Sequence, residues 1–283
     1  MHENSPCYCG SRRKFKKCCG ARGGGISNQF FVAAGEANPS LGELISKVRA
    51  FFDRSFSGTI QQGLTSDYVI GGDKFIDRAS VSIVTRDPDR AFVYLAHELL
   101  HLDLHARGYG IYRGWPGLAP KVANAAQAFK RDLEDLVNQI HHLIFFEQFV
   151  EMGFPPALFV LPVAPPQDYS EFSKIHKAMG FPELHGFLRL WWAHEAIRHY
   201  LAPMQGQPDE SRKVDIIIGQ AMSVFHDFDC TWSDIVRWVD NGGFKKPEGY
   251  IPAFNNLATI LAMPRPTFAS IDPRTLAIQT LPL

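Results

Sequence analysis

The segment Ala96-His97-Glu98-Leu99-Leu100-His101-Leu102 reads H-E-x-x-H within a leucine-rich run of good helix formers. The four-residue spacing places His97 and His101 one turn apart on one helical face, with Cβ atoms roughly 6 Å apart. Two imidazoles at that separation can bind one zinc ion, with Zn–N bonds of about 2.1 Å. Glu98 follows the first histidine, where its carboxylate can accept a proton from a zinc-bound water. The segment therefore predicts a metal site with two histidine ligands and Glu98 as a catalytic base.

The residues before this segment predict a strand, a short turn and then a helix. The run Ser80–Val84 alternates and is rich in β-branched residues, which is typical of a strand. Asp87 suits the N-cap and Pro88 the first helical position, so the helix is expected over about 89–107. A strand, a turn and a helix with H-E-x-x-H resemble the zincin metallopeptidases. That resemblance implies zinc-dependent hydrolysis of peptide bonds.

A catalytic zinc takes three protein ligands, so one more must come from elsewhere in the chain. His105 lies eight residues after His97, about 12 Å along the helix axis, which is too far for both to bind one ion. The next predicted helix lies between Pro120 and Gly153. On a helical wheel, Glu134 and His141 flank the apolar stripe of this helix, so geometry favours these two residues.

A second resemblance favours a different residue on the same helix. The spacing of Asn138 and His142, followed by Met152-Gly153, matches a group of uncharacterised bacterial and phage H-E-x-x-H proteins. In that group a helix with Asn-x-x-x-His and a closing Met-Gly turn follows the metal helix. The resemblance implies that His142 is the third ligand. We predict His142 in this role, with Glu134 and His141 as the open alternatives.

Four of the five cysteines fall within 13 residues near the N-terminus, with the spacing C-x-C-x8-C-C. They are Cys7, Cys9, Cys18 and Cys19. Such crowding in an intracellular chain predicts a tetrahedral zinc site rather than disulfides. The Cys-x-Cys-Gly-Ser opening and the closing Cys-Cys-Gly resemble the SEC-C motif, a zinc knuckle found in the preprotein translocase ATPase and in many other bacterial proteins. Tyr8 and Arg12 depart from that pattern but leave its four ligands unchanged.

The cysteine-rich region is strongly basic although the whole chain is formally neutral. Residues 1–25 contain six Lys or Arg and one acidic residue, so their net charge is +5, and the other 258 residues carry −5. The SEC-C resemblance implies docking to a protein partner, an acidic membrane or a ribosome, and the charge suits any acidic surface. A charge run that serves only solubility is the alternative. No phosphate loop or further basic–aromatic pattern is present, so nucleic acid is not favoured as the main partner.

The organisation of the remaining sequence predicts an α+β fold that is mostly helical. We expect the zinc knuckle over 1–22, a flexible linker over 23–40, a zincin-like domain over 41–154 and a mainly helical region over 155–283. The second domain includes an amphipathic helix of roughly 15 residues after Ser40 and two short strands, Tyr68–Ile70 and Val81–Val84. The last 40 residues, rich in proline, are expected to be irregular. Four helices are predicted before them, at Ser170–Met179, His185–Leu201, Ser211–Phe228 and Ser233–Val239.

One of these helices contains a near-repeat of the metal motif. The run His194-Glu195-Ala196-Ile197-Arg198-His199 places its histidines five residues apart, about 140° round the helix on α-helical geometry of 3.6 residues per turn. These two rings therefore cannot bind one metal from one face. The adjacent Trp191-Trp192 pair is expected in the core, and Cys230 is expected to be a buried thiol.

The sequence as a whole favours a cytoplasmic metalloenzyme. It contains no run of 18 apolar residues and no apolar segment after the first charges, so neither a membrane span nor a secretory signal is expected. The predicted function is zinc-dependent hydrolysis of a peptide or protein substrate, with one structural and one catalytic zinc. The alternative is a non-catalytic interaction protein, in which the knuckle recruits a partner and the second metal site is structural or vestigial.

Overall fold

A computed structural model describes residues 28–61, 66–84, 90–115, 129–159 and 184–280. It also describes the isolated positions 13, 14, 17, 24, 25, 117, 118, 122, 123, 126 and 127. Cys7, Cys9, Cys18 and Cys19 lie outside the described residues, so their zinc ligation stays a prediction. The helix cap at Asp87 and Pro88 and the helix Ser170–Met179 lie outside them too.

The described chain is a mostly helical α+β protein, as the sequence predicts. The helices are α1 (Asn28–Ala37), α2 (Pro39–Phe52), α3 (Ala91–Ala106), α4 (Lys130–Glu151), α5 (His185–Leu201), α6 (Ser211–Met222), α7 (Phe228–Asn241) and α8 (Pro247–Ile260). The strands are β1 (Gly24–Gly25), β2 (Phe56–Gln61), β3 (Asp67–Gly71), β4 (Arg78–Val84), β5 (Ile111–Gly114), β6 (Thr267–Ile271) and β7 (Ile278–Thr280). None of the described helices combines the length and the apolar character that a bilayer crossing requires.

The described residues form two compact units. The first combines the described residues up to Gly108 with Glu147–Phe159 and Ser270–Gln279. The second combines Tyr109–Phe146 with the described residues from 184 to Ala269 and with Thr280. Helix α4 contributes residues to both units. The domain boundaries drawn from the sequence stay a prediction.

In the first unit, helix α3 packs against a four-stranded sheet with the strand order β1-β2-β4-β3. Strand β2 runs parallel to β4, and β3 runs antiparallel to β4 with Tyr68 opposite Val81. Strands β3 and β4 contain the two strands predicted from the alternating pattern, so both predictions are confirmed. Strand β3 lies at one edge of this sheet, and α3 packs on β3 as well as on β4.

Helix α2 holds α3 in place from the other neighbouring element. It spans 14 residues and buries Leu41, Leu44, Ile45, Val48 and Phe52, which confirms the predicted amphipathic helix. The Lys47 ammonium lies 2.7 Å from the Asp103 carboxylate, which is buried on α3. A buried carboxylate requires such a partner, because an uncompensated charge away from water is costly.

A capping asparagine fixes the start of α2. The Asn38 side-chain oxygen accepts a hydrogen bond from the Leu41 N–H at 2.9 Å, and its amide donates to the Met152 carbonyl at 2.7 Å. Pro39 occupies the first turn, where a missing N–H costs nothing. Helix α1 precedes this cap over Asn28–Ala37. Ten of the residues that the sequence assigns to a flexible linker are therefore helical.

The second unit packs its helices around an aromatic core that includes Phe187, Trp191, Trp192 and Phe228. The predicted core position of the tryptophan pair is thus confirmed. Helix α5 has the predicted bounds, His185–Leu201. Strand β5 pairs antiparallel with β6, with Ile111 opposite Ala269.

Several sequence predictions for the second unit are wrong. The helix expected from about Pro120 begins only at Lys130, because Phe129 lies in a turn. The helix expected over Ser211–Phe228 ends at Met222, and a new helix begins at Phe228. The last 40 residues are not irregular: α8, β6 and β7 occupy most of them. Cys230 is exposed rather than buried.

Candidate metal centre

Helix α3 brings the two histidines of the H-E-x-x-H segment together, as the four-residue spacing requires. The His97 and His101 ring centroids are 5.1 Å apart, with the ring planes at 63° to each other. His101 is fully buried, and His97 is largely buried. The helix is apolar on almost every side, and twelve of its 16 residues are buried. This burial fixes the helix and removes water from both rings.

Burial also sets the protonation state of His97. It lowers the pKa of this ring to about 4, and a hydrogen bond that the ring donates to the Phe159 backbone opposes the shift only in part. The ring is therefore neutral at pH 7. A neutral imidazole with one N–H held by a backbone carbonyl has a defined tautomer, and its other nitrogen is ready to bind a metal.

The third histidine of the site lies on α4. Nitrogen atoms of His97, His101 and His142 all lie within 4.8 Å of one another. Phe149 lies seven residues after His142, two turns along the same helical face, and its ring centroid is 6.5 Å from that of His97. The same face of α4 therefore carries both the histidine and the phenylalanine toward α3. The described chain thus contains a cluster of three histidines that can hold a metal ion.

Neither alternative third ligand belongs to this cluster. The Nε2 atom of His141 is hydrogen-bonded to the Tyr250 hydroxyl at 3.0 Å. Glu134 is half exposed, and its carboxylate lies 3.5 Å from the Lys130 ammonium. The helical wheel favoured these two residues because it took the centre of the apolar stripe as the face toward α3. The structure places His142 on that face instead, and His141 faces α8.

Tyr68 of strand β3 orients His101. The two rings are stacked, with centroids 4.5 Å apart and planes at 10°. The ring of His105 lies 5.8 Å from the same tyrosine and is buried, but it is outside the histidine cluster, as the helix geometry predicts. Stacking restricts rotation of the His101 ring, so Tyr68 acts as a positioning residue for this candidate ligand.

Glu98 is buried beside the cluster, with an exposed fraction of 5%. Burial raises the pKa of its carboxyl group well above the ordinary value, and the negative charge of Asp67 on β3 raises it further. The pKa of Asp67 is itself raised by partial burial, although its carboxylate accepts a hydrogen bond from the Tyr68 N–H at 2.8 Å. A cation held by the histidines would act in the opposite direction and favour the Glu98 carboxylate.

Sequence reasoning did not single out Asp67, Tyr68 or Phe149. The first two open a strand that alternates like any other, and the phenylalanine is one apolar residue in an apolar stripe. A usable signal was the seven-residue spacing from His142 to Phe149, which places both on one face of a helix. The pairing of β3 with β4 could not be read from the sequence in the same way.

The near-repeat on α5 does not form a shared metal site. The Nδ1 atom of His199 is hydrogen-bonded to the Glu210 carboxylate, which also lies 2.5 Å from the Lys213 ammonium. His194 instead lies near Asp132 of α4. The two histidines thus face different neighbours, as their five-residue spacing predicts.

Comparison with known proteins identifies one part of the chain. A family model of the SEC-C motif matches residues 4–21. No curated protein and no solved structure is similar enough to this chain to match it. The match includes all four clustered cysteines and confirms the resemblance drawn from their spacing. The chain therefore carries a SEC-C motif at residues 4–21, ahead of a body with a buried cluster of three histidines.

Proposed function

We propose that this chain is a zinc-dependent hydrolase that cleaves peptide bonds. His97, His101 and His142 hold the catalytic ion, and Glu98 is the general base. The observation that carries the proposal is the convergence of three histidine nitrogens within 4.8 Å, with Glu98 adjacent in sequence and buried beside them. Three neutral imidazoles suit zinc, and a catalytic zinc keeps its fourth position for water.

Each residue of the site has a part in this reaction. The bound ion polarises a carbonyl and lowers the pKa of its water toward about 7. Glu98 accepts the proton of the attacking water and passes it to the leaving amine. The Phe159 backbone fixes the His97 ring by accepting its N–H, and Tyr68 fixes His101 by stacking. Both contacts hold the ligands in position before an ion arrives.

Strand β3 supports a peptide as the substrate class. It lies at the edge of the four-stranded sheet, and its residue Tyr68 stacks on a candidate ligand. An exposed strand edge offers backbone N–H and C=O groups to which an extended peptide can add as a further strand. A peptide bound there would run past the histidine cluster. The resemblance to the zincin metallopeptidases implies the same substrate class.

The substitution Glu98→Gln tests the proposal. It keeps the shape of the side chain and removes the carboxylate, so we expect unchanged zinc content and a loss of peptide cleavage of at least 100-fold, in line with the usual contribution of a general base. Glu134→Gln is the matched control, because this carboxylate is half exposed and lies outside the cluster. The readout is cleavage of a broad peptide library, monitored by mass spectrometry. Cleavage by the Glu98 variant at the wild-type rate would refute the assignment.

The SEC-C match favours a second candidate function, a non-catalytic interaction protein. The basic knuckle would recruit a protein partner or an acidic surface, and the histidine cluster would hold a structural ion. The two candidates differ in one measurement. An interaction protein leaves every peptide of the library intact in the wild type, while its zinc content and its binding to a partner do not respond to Glu98→Gln.

A further inference from the structure

The second unit contains a buried histidine that the proposed reaction does not use. His194 is 4% exposed, and its two ring nitrogens are buried and have no hydrogen-bond partner among the described residues. Burial lowers the pKa of this ring to about 4, so it is neutral at pH 7 and one nitrogen carries an available lone pair. Buried polar atoms are nearly always paired in folded proteins. His194 therefore lacks the partner that its burial calls for.

Two carboxylates lie close to one nitrogen of this ring. The Nδ1 atom is 3.8 Å from Oδ1 of Asp132 on α4 and 3.8 Å from Oε1 of Glu195 on α5. These separations are too long for hydrogen bonds, and a neutral ring forms no ion pair. Ligands of one tetrahedral zinc ion lie about 3.4 Å apart, since Zn–N and Zn–O bonds are about 2.1 Å. Each carboxylate thus has to approach the nitrogen by only about 0.4 Å to share an ion with it.

The charges around His194 favour a cation. Burial raises the pKa of Asp132 to about 7, and the charges of Asp135 and Glu195 contribute to that shift. Arg131 lies 3.7 Å from Asp135, and Arg198 lies 4.0 Å from Glu195. Three carboxylates therefore face two guanidinium groups. A divalent cation would supply positive charge and relieve the repulsion between the two carboxylates that lie nearest the ring.

We propose that His194, Asp132 and Glu195 form a metal site of their own, which takes a divalent transition-metal ion with zinc as the best match. One neutral imidazole and two carboxylates are ligands that zinc accepts. The ion would bridge α4 and α5 within the second unit. The near-repeat on α5 then contributes its adjacent His194 and Glu195, rather than its two histidines, and α4 contributes the third ligand.

Zinc content tests this site in the full-length chain. The background is the double variant His97→Ala, His101→Ala, which removes the ligands of the proposed catalytic site. Asp132→Asn in this background removes a ligand charge without changing side-chain shape, and Asp135→Asn is the matched control on the same helix. After equilibration with free zinc, we expect the Asp132 variant to retain one zinc ion per chain fewer than the background, and the Asp135 variant to retain the same number. Circular dichroism verifies that both variants are folded.

A second substitution guards against an indirect effect of Asp132. Glu195→Gln approaches the ring from α5 and is expected to remove the same single equivalent. Equal zinc content in the background and in both ligand variants would overturn the proposal. The outcome is separate from that of the proposed function, because His97→Ala with His101→Ala alone tests the catalytic site. Loss of zinc there and no loss with Asp132→Asn would leave the hydrolase standing and remove only the site at His194.

Discussion

Adjacent histidines on α4 give the sharpest prediction about the candidate metal centre. His141 and His142 are both buried, but the structure assigns them to different neighbours. His142 belongs to the histidine cluster, whereas His141 is hydrogen-bonded to the Tyr250 hydroxyl. The pair of variants His142→Ala and His141→Ala therefore removes the same side chain from neighbouring positions. Only the first is expected to weaken zinc binding.

The magnitude follows from ligand loss. Substitution of a residue that merely supports a ligand usually costs 10–100-fold in metal affinity, so loss of the His142 ligand itself is expected to cost at least about 100-fold. Zinc at 100 times its dissociation constant stabilises the wild type by about 2.7 kcal/mol. At the same concentration, a variant with 100-fold weaker binding gains only about 0.4 kcal/mol. His141→Ala leaves a buried Tyr250 hydroxyl without this partner, which costs about 1–3 kcal/mol with or without zinc.

The assay is urea unfolding with and without zinc, followed by circular dichroism, for the wild type and the two variants. The cysteines of the SEC-C motif are intact in all three, so their zinc cancels in the comparison. The reasoning predicts that the zinc-dependent increase in unfolding free energy persists in His141→Ala and nearly disappears in His142→Ala. An equal increase in all three proteins would refute it, and so would a loss confined to His141→Ala.

Three further predictions concern packing, capping and pH. Phe149 is fully buried against His97, so Phe149→Ala is expected to lower the free energy of unfolding by about 3–5 kcal/mol and to weaken zinc binding. Asn38→Ala removes both a helix cap and the hydrogen bond to the Met152 carbonyl, with an expected cost of about 1–2 kcal/mol. The zinc-free chain is expected to lose stability as the pH falls from about 6.5 to about 4. The unfolded chain then protonates His97 and His194 at their ordinary pKa, while the folded chain keeps both neutral.

Each of these predictions has a matched comparison. Val150→Ala changes the exposed neighbour of Phe149 and is expected to shift the urea midpoint only slightly. Ser46→Ala removes an exposed hydroxyl from the middle of α2 and is expected to be nearly neutral. For the pH prediction, His194→Gln should reduce the loss of stability between pH 7 and pH 5, measured by urea unfolding. Equal pH dependence in this variant and the wild type would contradict the stated cause.

Local patterns predicted the parts of the site that lie on one element. The spacing of His97 and His101 requires them to share a helical face, and alternation in Val81–Val84 requires a strand. Both features follow from the repeat of a single element, so the sequence alone was sufficient. The bounds of α5 and the core position of Trp191-Trp192 followed from the same kind of pattern.

Features that depend on which elements meet could not be predicted in this way. The helical wheel ranked Glu134 and His141 first because the wheel identifies an apolar stripe and not its neighbour. The third candidate ligand, His142, was reached only through a resemblance. The C-terminal residues failed for a related reason: Pro247 begins a helix and Pro252 lies inside one, so their prolines did not imply irregular structure.

Zinc content of the full-length chain with Cys7, Cys9, Cys18 and Cys19 replaced by serine tests the central claim most directly. With the SEC-C ligands removed, any zinc that remains is held elsewhere. The account predicts that adding His97→Ala and His101→Ala to this chain lowers the bound zinc by one ion per chain. The same zinc content before and after those two substitutions would contradict a metal centre at the histidine cluster.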